Sequence, residues 1–347
     1  MSNTHNELLK WISDEYYDLN GSQFDTLDAI PTALEFAQLV RVGRPVLIQD
    51  CAVPKATARW DNEYLSKTCG DTLISVAVTP NGRADAITQG PDGRLYFAEP
   101  LAEHMTMAEF LAKLSAGENA HNSEVLYLQS QDGNLFSASR EVPSEFDAIL
   151  SDVSKDLPFC TAALGNTPEA VNLWIGNGQS VTSIHSDPYE NIYSVIRGSK
   201  TFTLFAPVEA WCLEERIYPH ATYARLGEDG ELVLIPSESS APPVRWSSIL
   251  DPTDSSSLSP DAHPITITVN EGETLYLPAG WWHYVRQTEM TIAVNYWYDM
   301  ESRGMSWVWL NLLRGGASGA SPLPGNEGDD FVDGESDDDE EAEEDEE

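Results

Sequence analysis

The chain is short of cysteine, of basic residues and of long apolar runs. Its 347 residues include four cysteines, none in a CxxC pair, which argues against a zinc site or a redox dithiol. Cysteines spread so thinly are typical of reduced thiols in an intracellular protein. The N-terminal segment lacks the basic start and apolar core of a secretory signal, and no run reaches the length of a membrane helix. These absences predict a soluble cytoplasmic protein, with the nucleus as the alternative compartment.

Basic side chains are scarce, with 19 Lys and Arg against 57 Asp and Glu and a net charge of −38. Fifteen of the acidic residues lie between Glu327 and Glu347, but the rest of the chain still carries 42 acids against 19 bases. This balance disfavours nucleic acid, because binding the phosphate backbone needs Lys and Arg to displace counterions. It is compatible with a basic substrate or partner, although an acidic surface also simply keeps a protein soluble.

The spacing of apolar residues divides the chain into a helical first part and a β-rich second part. It predicts helices over 5–19, 32–42 and 105–115, and strands at 45–50, 74–80 and 124–131. From residue 170 onward, seven short strand-like runs follow one another: VNLWIG, NIYSVI, TFTLFAP, PITITV, TLYLPA, HYVRQ and TIAVNYWY. Many short strands without intervening helices are typical of an all-β barrel or jelly roll. The RGSK segment at 197–200 predicts a tight turn that joins its two flanking strands as a hairpin.

These patterns predict a mainly β protein in four parts. The parts are an N-terminal support of helices and strands, a barrel, a C-terminal helix and a disordered acidic tail, at residues 1–125, 126–300, 301–316 and 317–347. A Ser/Pro/Asp-rich stretch at about 228–263 is expected to be a surface insertion in the barrel. The apolar run at 305–314 should pack on the body or on a second copy of the chain, whereas the acidic tail cannot bury enough apolar surface to order itself.

The tripeptide His-Ser-Asp at 185–187 is the first chemical signal. Residues i and i+2 of an extended chain point to the same side, so His185 and Asp187 can reach one point. His283 stands among Trp and Val in a later strand, where a lone histidine is more often a packed core residue than a ligand. When His283 is considered together with His185 and Asp187, a metal ligand becomes the better interpretation. Two His and one carboxylate on a small β-barrel form the facial triad of non-haem Fe(II) oxygenases. The triad leaves positions open for O2 and a bidentate co-substrate.

Three residues that follow the His-Ser-Asp tripeptide fit the same site. Asn191 and Tyr193 share one face of the next strand, and Lys200 follows just across the predicted turn. A dicarboxylate that chelates iron through one end needs a fixed cation at its far carboxylate, and Lys200 would supply that charge. The alternative is that Lys200 is an exposed hairpin lysine, which is the commoner fate of this residue type.

The spacing T-x-x-H-x-D-x-x-x-N-x-Y-x-x-x-x-x-x-K at 182–200, with LYLPAGWWHYV and IAVNYWYDM at 275–300, resembles the JmjC-domain 2-oxoglutarate- and Fe(II)-dependent oxygenases. The segments SVAVTPNGRADA, FAEP, MTMAEFL and YPHATY are similar to the small lysyl hydroxylases of that family rather than to its large multidomain demethylases. The similarity runs over roughly residues 5–315. It implies a double-stranded β-helix of the jelly-roll type, Fe(II) and O2 with 2-oxoglutarate as co-substrate, and hydroxylation of a protein lysine at C3.

The resemblance also implies a role for individual residues. Iron would be held by His185, Asp187 and His283. The C5 carboxylate of 2-oxoglutarate would be bound by Lys200, Thr182 and Tyr127, with Tyr193 beside them. The C1 end of 2-oxoglutarate would lie near Asn191 and Asn295. The substrate side would be lined by Gln129 and Trp297. The alternative reading of the three aromatic residues is plain barrel core, because buried aromatic side chains usually just fill space.

The implied partner is a protein that presents a lysine side chain, such as a translation-associated GTPase of the developmentally regulated GTP-binding class. A homodimer through the C-terminal helix is a further expectation, since related hydroxylases often dimerise there. Three alternatives stay open: an N-methyl-lysine demethylase of the same fold, an asparaginyl hydroxylase with the same motifs, and a non-catalytic cupin-like protein that works through its acidic tail. The sequence has no Cys-rich zinc module, which argues against the first, and its complete triad argues against the last.

Overall fold

The computed structural model describes residues 3–117, 124–129, 135–136, 144–227 and 230–314. The predicted acidic tail lies outside the described residues, as do residues 130–131 at the end of one predicted strand. Within the described part of the chain, no helix is long and apolar enough to cross a membrane.

Helices and short strands alternate in the first part of the chain. The helices are α1 (Asn3–Asn20), α2 (Ala33–Val42), α3 (Pro54–Arg59), α4 (Asn62–Cys69) and α5 (Met107–Gly117). The strands are β1 (Asp25–Leu27), β2 (Val46–Ile48), β3 (Leu73–Thr79), β4 (Arg83–Ala84), β5 (Ala86–Gln89), β6 (Leu95–Glu99) and β7 (Leu101–Thr106). The predicted helix over 105–115 starts two residues later than expected, because β7 pairs with β3 as far as Thr106.

The second part is built mainly of strands. In chain order it contains β8 (Val125–Gln129), α6 (Pro158–Leu164), β9 (Ala170–Gly176), β10 (Val181–Ser186), β11 (Tyr189–Arg197), β12 (Ser199–Phe205), β13 (Glu215–Tyr218), β14 (His220–Arg225), β15 (Leu232–Pro236), β16 (Val244–Ser247), β17 (Ile265–Asn270), β18 (Thr274–Leu277), β19 (Trp282–Gln287), β20 (Thr291–Asp299) and α7 (Met305–Leu313). Two 3₁₀ helices, Asp147–Asp152 and Pro207–Cys212, complete it.

Two sheets enclose the core of the second part. The larger has the order β1-β2-β18-β11-β20-β9-β8-β3-β7, and the smaller has the order β17-β12-β19-β10-β4. One apolar cluster takes side chains from both sheets, including Trp174 and Tyr193 of the larger and Phe202 and Val285 of the smaller. The fold is therefore a jelly roll with supporting helices, as predicted, because two sheets that bury their inner faces together form one core.

The prediction of a hairpin across RGSK is wrong. β11 pairs with β18 and β20 in the larger sheet, whereas β12 pairs with β17 and β19 in the smaller one. The chain crosses between the sheets at Gly198, whose φ is +74° and where a Cβ would lie 2.6 Å from the carbonyl oxygen of Met290. The side chains of β11 and β12 consequently face each other across the interior.

The segment 228–263, predicted as a surface insertion, contains regular structure. β15 pairs with β14 in a four-stranded sheet of order β15-β14-β6-β5, and β16 pairs with β13. These pairings are not local, because the partners of β16 lie about thirty residues earlier in the chain. Composition alone therefore does not reveal them.

Candidate active site

The three predicted metal ligands meet at one end of the smaller sheet. His185 of β10 lies directly opposite His283 of β19, and the register shifts between Thr182 and His185. Asp187 follows the last residue of β10, and its Oδ2 lies 3.5 Å from His185 Nε2 and 3.6 Å from His283 Nε2. The three ligand atoms fall within 4.8 Å of one another, so the spacing of the His-Ser-Asp tripeptide does bring both side chains to one point.

Hydrogen bonds to backbone carbonyls orient both imidazoles. His185 Nδ1 lies 2.8 Å from the carbonyl oxygen of Ser183, and His283 Nδ1 lies 3.1 Å from that of Trp281. Because a carbonyl only accepts, each Nδ1 carries a proton in the neutral ring and each Nε2 offers a lone pair. Asp187 Oδ2 is buried between them and has no hydrogen-bond partner in the described structure. Two lone pairs and an orphaned carboxylate oxygen fit a divalent metal ion.

The charges of the triad agree with this assignment. Burial, followed by the charge of His185, lowers the pKa of His283 to about 4, so this ring is neutral at pH 7. Burial works against the charged forms of His185 and Asp187, but their mutual attraction raises the pKa of His185 and lowers that of Asp187. Ligation requires a neutral imidazole, so a metal ion would compete with a proton for Nε2 of His185.

A cavity extends from the triad into the space between the sheets and holds about 410 Å³, part of it open to solvent. The smaller sheet and the turn after β10 contribute Thr182, His185, Asp187, Lys200, Phe202, His283 and Val285. The larger sheet contributes Tyr127, Trp174, Asn191, Tyr193, Asn295 and Trp297. The structure thus gathers ten of the eleven predicted site residues around one cavity, and Gln129 is the exception.

Lys200 occupies the end of the cavity away from the triad. It is 2 % exposed, and its Nζ donates a hydrogen bond to Tyr127 Oη over 2.8 Å. The same Nζ lies 5.2, 5.8 and 5.4 Å from the ring centres of Tyr127, Trp174 and Tyr193. None of the ion pairs among the described residues includes Lys200, and burial lowers its pKa to about 7. An amine buried without an anion fits the far carboxylate of a ligand.

The neighbours of Lys200 add further hydroxyl groups. Tyr127 and Thr182 interact by a side-chain hydrogen bond, but burial dominates and raises the pKa of Tyr127. Burial also raises the pKa of Tyr193, so both phenols stay protonated and able to donate. Thr182, Tyr127 and Lys200 consequently offer three donors at one end of the cavity.

A relay of hydrogen bonds fixes two amides in the larger sheet. Trp174 Nε1 donates to Asn295 Oδ1 over 2.7 Å, and Asn295 Nδ2 donates to Asn191 Oδ1 over 3.0 Å. Since the indole can only donate, the direction of both bonds is determined, and the Nδ2 group of Asn191 is left for the cavity. Sequence reasoning missed Trp174, which alternates with other apolar residues in β9 as an ordinary core residue would.

The substrate-side residues occupy different places. Trp297 lines the cavity, stacks on Tyr189 with ring centres 4.9 Å apart, and leaves its buried Nε1 without a partner in the described residues. Gln129 lies beside the cavity, where its Nε2 donates to Asp85 Oδ2 over 3.0 Å. Trp246 of β16 stacks on His185 with ring centres 5.6 Å apart. Asp85 lies in the quoted segment SVAVTPNGRADA but was given no role, and Trp246 was missed because it lies far from the motifs in sequence.

Comparison with known proteins agrees with this geometry. Residues 31–304 match the model of the cupin-like domain family. The chain is 38 % identical over 298 residues to the human bifunctional peptidase and (3S)-lysyl hydroxylase JMJD7, covering 83 % of this chain and 87 % of the relative. It is 33 % identical over 313 residues to JmjC domain-containing protein E of Dictyostelium discoideum, covering 82 % and 86 %. With lysine-specific demethylase JMJ32 of Arabidopsis thaliana it shares 34 % over 317 residues, covering 85 % and 86 %.

A jelly roll with a His-Asp-His triad at one end of its cavity defines the oxygenase class of cupin-like proteins. The chain belongs to the cupin-like JmjC-domain family. It is an enzyme of the 2-oxoglutarate-dependent dioxygenase type.

Proposed function

We propose that this chain is an Fe(II)- and 2-oxoglutarate-dependent hydroxylase that oxidises a lysine side chain of a protein at C3. One observation carries the proposal. A single cavity has a metal-ligand triad at one end and, at the other, a buried amine that has no counter-ion among the described residues. Only a ligand with a chelating end and a distal negative charge satisfies both ends. 2-Oxoglutarate has a 2-oxo acid at one end and a carboxylate at the other.

The residues divide the work between them. His185, Asp187 and His283 would hold the iron, which with 2-oxoglutarate and O2 supplies the oxidising power for C–H hydroxylation. Lys200 and Tyr127 bind the distal carboxylate by charge-assisted and neutral hydrogen bonds. Asn191, fixed by Asn295, donates to oxygen atoms nearer the triad. The aromatic lining excludes water, which strengthens each of these electrostatic contacts.

The proposed substrate is a protein lysine, presented for example by a translation-associated GTPase. Two considerations support a lysine: the human relative is named as a (3S)-lysyl hydroxylase, and this chain is acidic even without its tail. A cationic side chain is attracted to such a surface.

A turnover assay with mass detection tests the proposal. Purified chain is incubated with Fe(II), 2-oxoglutarate and a library of lysine-containing peptides, and succinate and peptide masses are followed. We expect succinate release together with the gain of one oxygen atom on lysine. Loss of a methylene unit with formaldehyde would identify a demethylase instead, and oxygen on asparagine an asparaginyl hydroxylase. No iron-dependent succinate from any library would favour a non-catalytic binding protein.

We further propose that a second copy of the chain covers α7. Met305, Val308, Trp309 and Leu312 are 60, 43, 54 and 52 % exposed and follow one another at helical spacing. Leu310, on another face, is buried against Met300, so the helix is already anchored to its own body. Trp309→Glu should turn a dimer into a monomer in sedimentation equilibrium. A wild-type chain that stays monomeric at all concentrations would contradict this proposal.

A further inference from the structure

Asp85 lies beside the metal-binding strand but belongs to no part of the cavity described above. It connects β4 to β5 with a φ of +51°, a left-handed conformation that costs energy in any residue other than glycine. Its carbonyl oxygen accepts a hydrogen bond from Ser183 Oγ, and the carbonyl oxygen of Ser183 orients His185. A strained residue is therefore held two hydrogen bonds from a predicted metal ligand.

The Asp85 side chain contacts the end of β8. Its Oδ2 accepts from Gln129 Nε2 over 3.0 Å. Gln129 stands two residues after Tyr127 on β8, so the two side chains leave the strand on the same side. Tyr127 lines the cavity, whereas Gln129, on the same side of β8, is engaged by Asp85.

A second carboxylate lies close to Asp85. Ala86 pairs with Ala98 across β5 and β6, so Asp85 and Glu99 stand at the same end of this strand pair. Like charges placed opposite each other destabilise a sheet. Glu99 Oε1 lies 3.2 Å from His220 Nε2, whereas none of the ion pairs among the described residues includes Asp85.

The pKa of Asp85 is that of a carboxyl group without a paired cation among the described residues. Burial and then the charge of Glu99 raise the pKa of Asp85 to about 6, although Gln129, His185 and His220 act in the opposite direction. The residue as a whole is intermediate between buried and exposed. A positively charged group entering from solvent would relieve the repulsion that the fold leaves uncompensated.

An aromatic side chain contacts the Ser183 hydroxyl that donates to the carbonyl oxygen of Asp85. Trp246 stacks on His185 and lies 4.8 Å from the ring centre of Phe97, and its Nε1 donates to Ser183 Oγ. The aliphatic stem of a lysine packs well on such rings while its ammonium reaches a carboxylate. This neighbourhood therefore combines an apolar wall with an uncompensated anion beside the predicted metal site.

We propose that Asp85 recognises the ammonium group of the substrate lysine, with Gln129 holding its carboxylate in place and Glu99 adding negative charge at the entrance. This inference rests on the proposed function, because it assigns the substrate end of the same site. It goes further by naming a specificity-determining residue in the N-terminal half of the chain, outside the metal and co-substrate motifs.

Two peptide libraries test this assignment with Asp85→Asn. One library has a fixed central lysine and the other a central norleucine, which replaces the ammonium by a methyl group. Peptides retained by immobilised wild-type chain and by the variant are counted by mass spectrometry, and peptide-stimulated succinate release is measured in parallel. Wild type should prefer the lysine library by at least about 30-fold, and Asp85→Asn should remove this preference.

The asparagine variant keeps the shape of the side chain and can still accept a hydrogen bond from Gln129. A loss of lysine preference can therefore be distinguished from a folding defect. Metal binding and the KM for 2-oxoglutarate should be unchanged, and Asp71→Asn, on the exposed turn after α4, should behave as wild type throughout. Equal preference for lysine in wild type and Asp85→Asn, or no preference in wild type, would overturn the assignment. Retention of lysine peptides by wild type without any oxygen transfer would instead refute the proposed function.

Discussion

Among the described residues, the triad end of the cavity lacks a cation, whereas the Lys200 end lacks an anion. At the triad, the buried Asp187 Oδ2 has no hydrogen-bond partner among the described residues and faces two imidazole nitrogens, which calls for a cation. At the far end, Lys200 is buried among three aromatic rings, donates to the phenol of one of them, and pairs with no anion in the part of the chain that the structure describes. The first end is a set of metal ligands, and the second is an anion site.

This difference teaches which molecule the cavity is built for. Burying ionisable groups with an incomplete set of partners costs several kcal/mol, so a fold that does this at both ends of one cavity is compensated by ligands. A metal alone would complete the triad and leave Lys200 unpaired, and a simple anion would do the reverse. A chelating dicarboxylate on a bound metal completes both ends.

Removing the triad carboxylate should have the largest effect, and it should disrupt the metal site without disrupting the anion site. Changes to groups that merely orient metal ligands cost about 10- to 100-fold in affinity, so Asp187→Asn should lose more than about 100-fold in Fe(II) affinity. Turnover of 2-oxoglutarate should fall with it. Metal content after dialysis and succinate release measure both effects, with Asp71→Asn as the control. A variant that retains stoichiometric iron would show that the ligands are assigned wrongly.

Removing the buried cation should disrupt the anion site without disrupting the metal site, with a slightly smaller effect than that of Asp187→Asn. Lys200→Met should raise the KM for 2-oxoglutarate by roughly 30-fold or more, since the distal carboxylate would be left unpaired. The ligand-free variant should nevertheless melt higher, by about 2–4 °C for each kcal/mol of burial cost removed. Titration calorimetry and thermal melting measure these opposite changes.

The matched control is Lys155→Met, which removes an exposed lysine elsewhere on the surface. It should change neither the KM nor the melting temperature beyond a small surface effect. If Lys200→Met lowered stability and left the KM unchanged, the lysine would be a structural residue rather than an anion site.

The pH dependence of binding sharpens the comparison. Burial lowers the pKa of Lys200 to about 7 in the folded protein, against 10.5 for the free side chain. Between these values the unfolded chain binds the extra proton, so this lysine makes stability rise with pH in that window. Co-substrate binding needs the charged form, so above pH 7 its affinity should fall by up to about tenfold per pH unit.

Calorimetry in buffers of different ionisation enthalpy checks this directly. At pH 8, binding of 2-oxoglutarate to wild type should take up a proton, whereas at pH 6 it should take up almost none from Lys200. The difference between the two values should vanish in Lys200→Met. Proton uptake that persists in the variant would assign the titration to another group.

The smallest effect is expected at the relay that joins the two ends. Trp174→Phe keeps the ring but removes the indole donor to Asn295. Loss of a neutral hydrogen bond costs about 1 kcal/mol, so the KM for 2-oxoglutarate should rise roughly fivefold. Steady-state kinetics measure this change. An effect as large as that of Lys200→Met would mean that the relay acts through the lysine rather than through Asn191.

Local spacing accounts for what the sequence could predict about the site. His185, Asp187, Asn191 and Tyr193 lie within nine residues, where the two-residue period of a strand decides which side chains share a face. The buried strands β18 and β20 likewise read as continuous apolar runs. Local spacing therefore accounts for these four of the ten predicted residues that surround the cavity. Distant residues such as Tyr127, Asn295 and Trp297 were predicted from the resemblance to the JmjC family, and the individual roles of all ten stay predictions.

What the sequence could not predict depends on contacts between distant segments. Trp246 contacts His185 only because β16 pairs with β13. Asp85 is linked to His185 only through the hydrogen bonds of Ser183. The crossing at Gly198 looks like a hairpin turn, because a Gly-Ser turn has the same composition whether its flanking strands pair or separate. The six-residue helix α3 is too short for a helical period to be visible.

A comparison of two ligands tests the central claim most directly. 2-Oxobutyrate has the chelating end of 2-oxoglutarate but lacks its distal carboxylate. Binding of both is measured by calorimetry without O2 on Fe(II)-loaded wild type, Lys200→Met and metal-free chain. We predict that wild type binds 2-oxoglutarate at least about 30-fold more tightly than 2-oxobutyrate, that Lys200→Met removes this ratio, and that binding of both ligands needs the metal. Equal affinity of wild type for the two ligands, or tight 2-oxoglutarate binding without metal, would contradict a ligand that joins both ends.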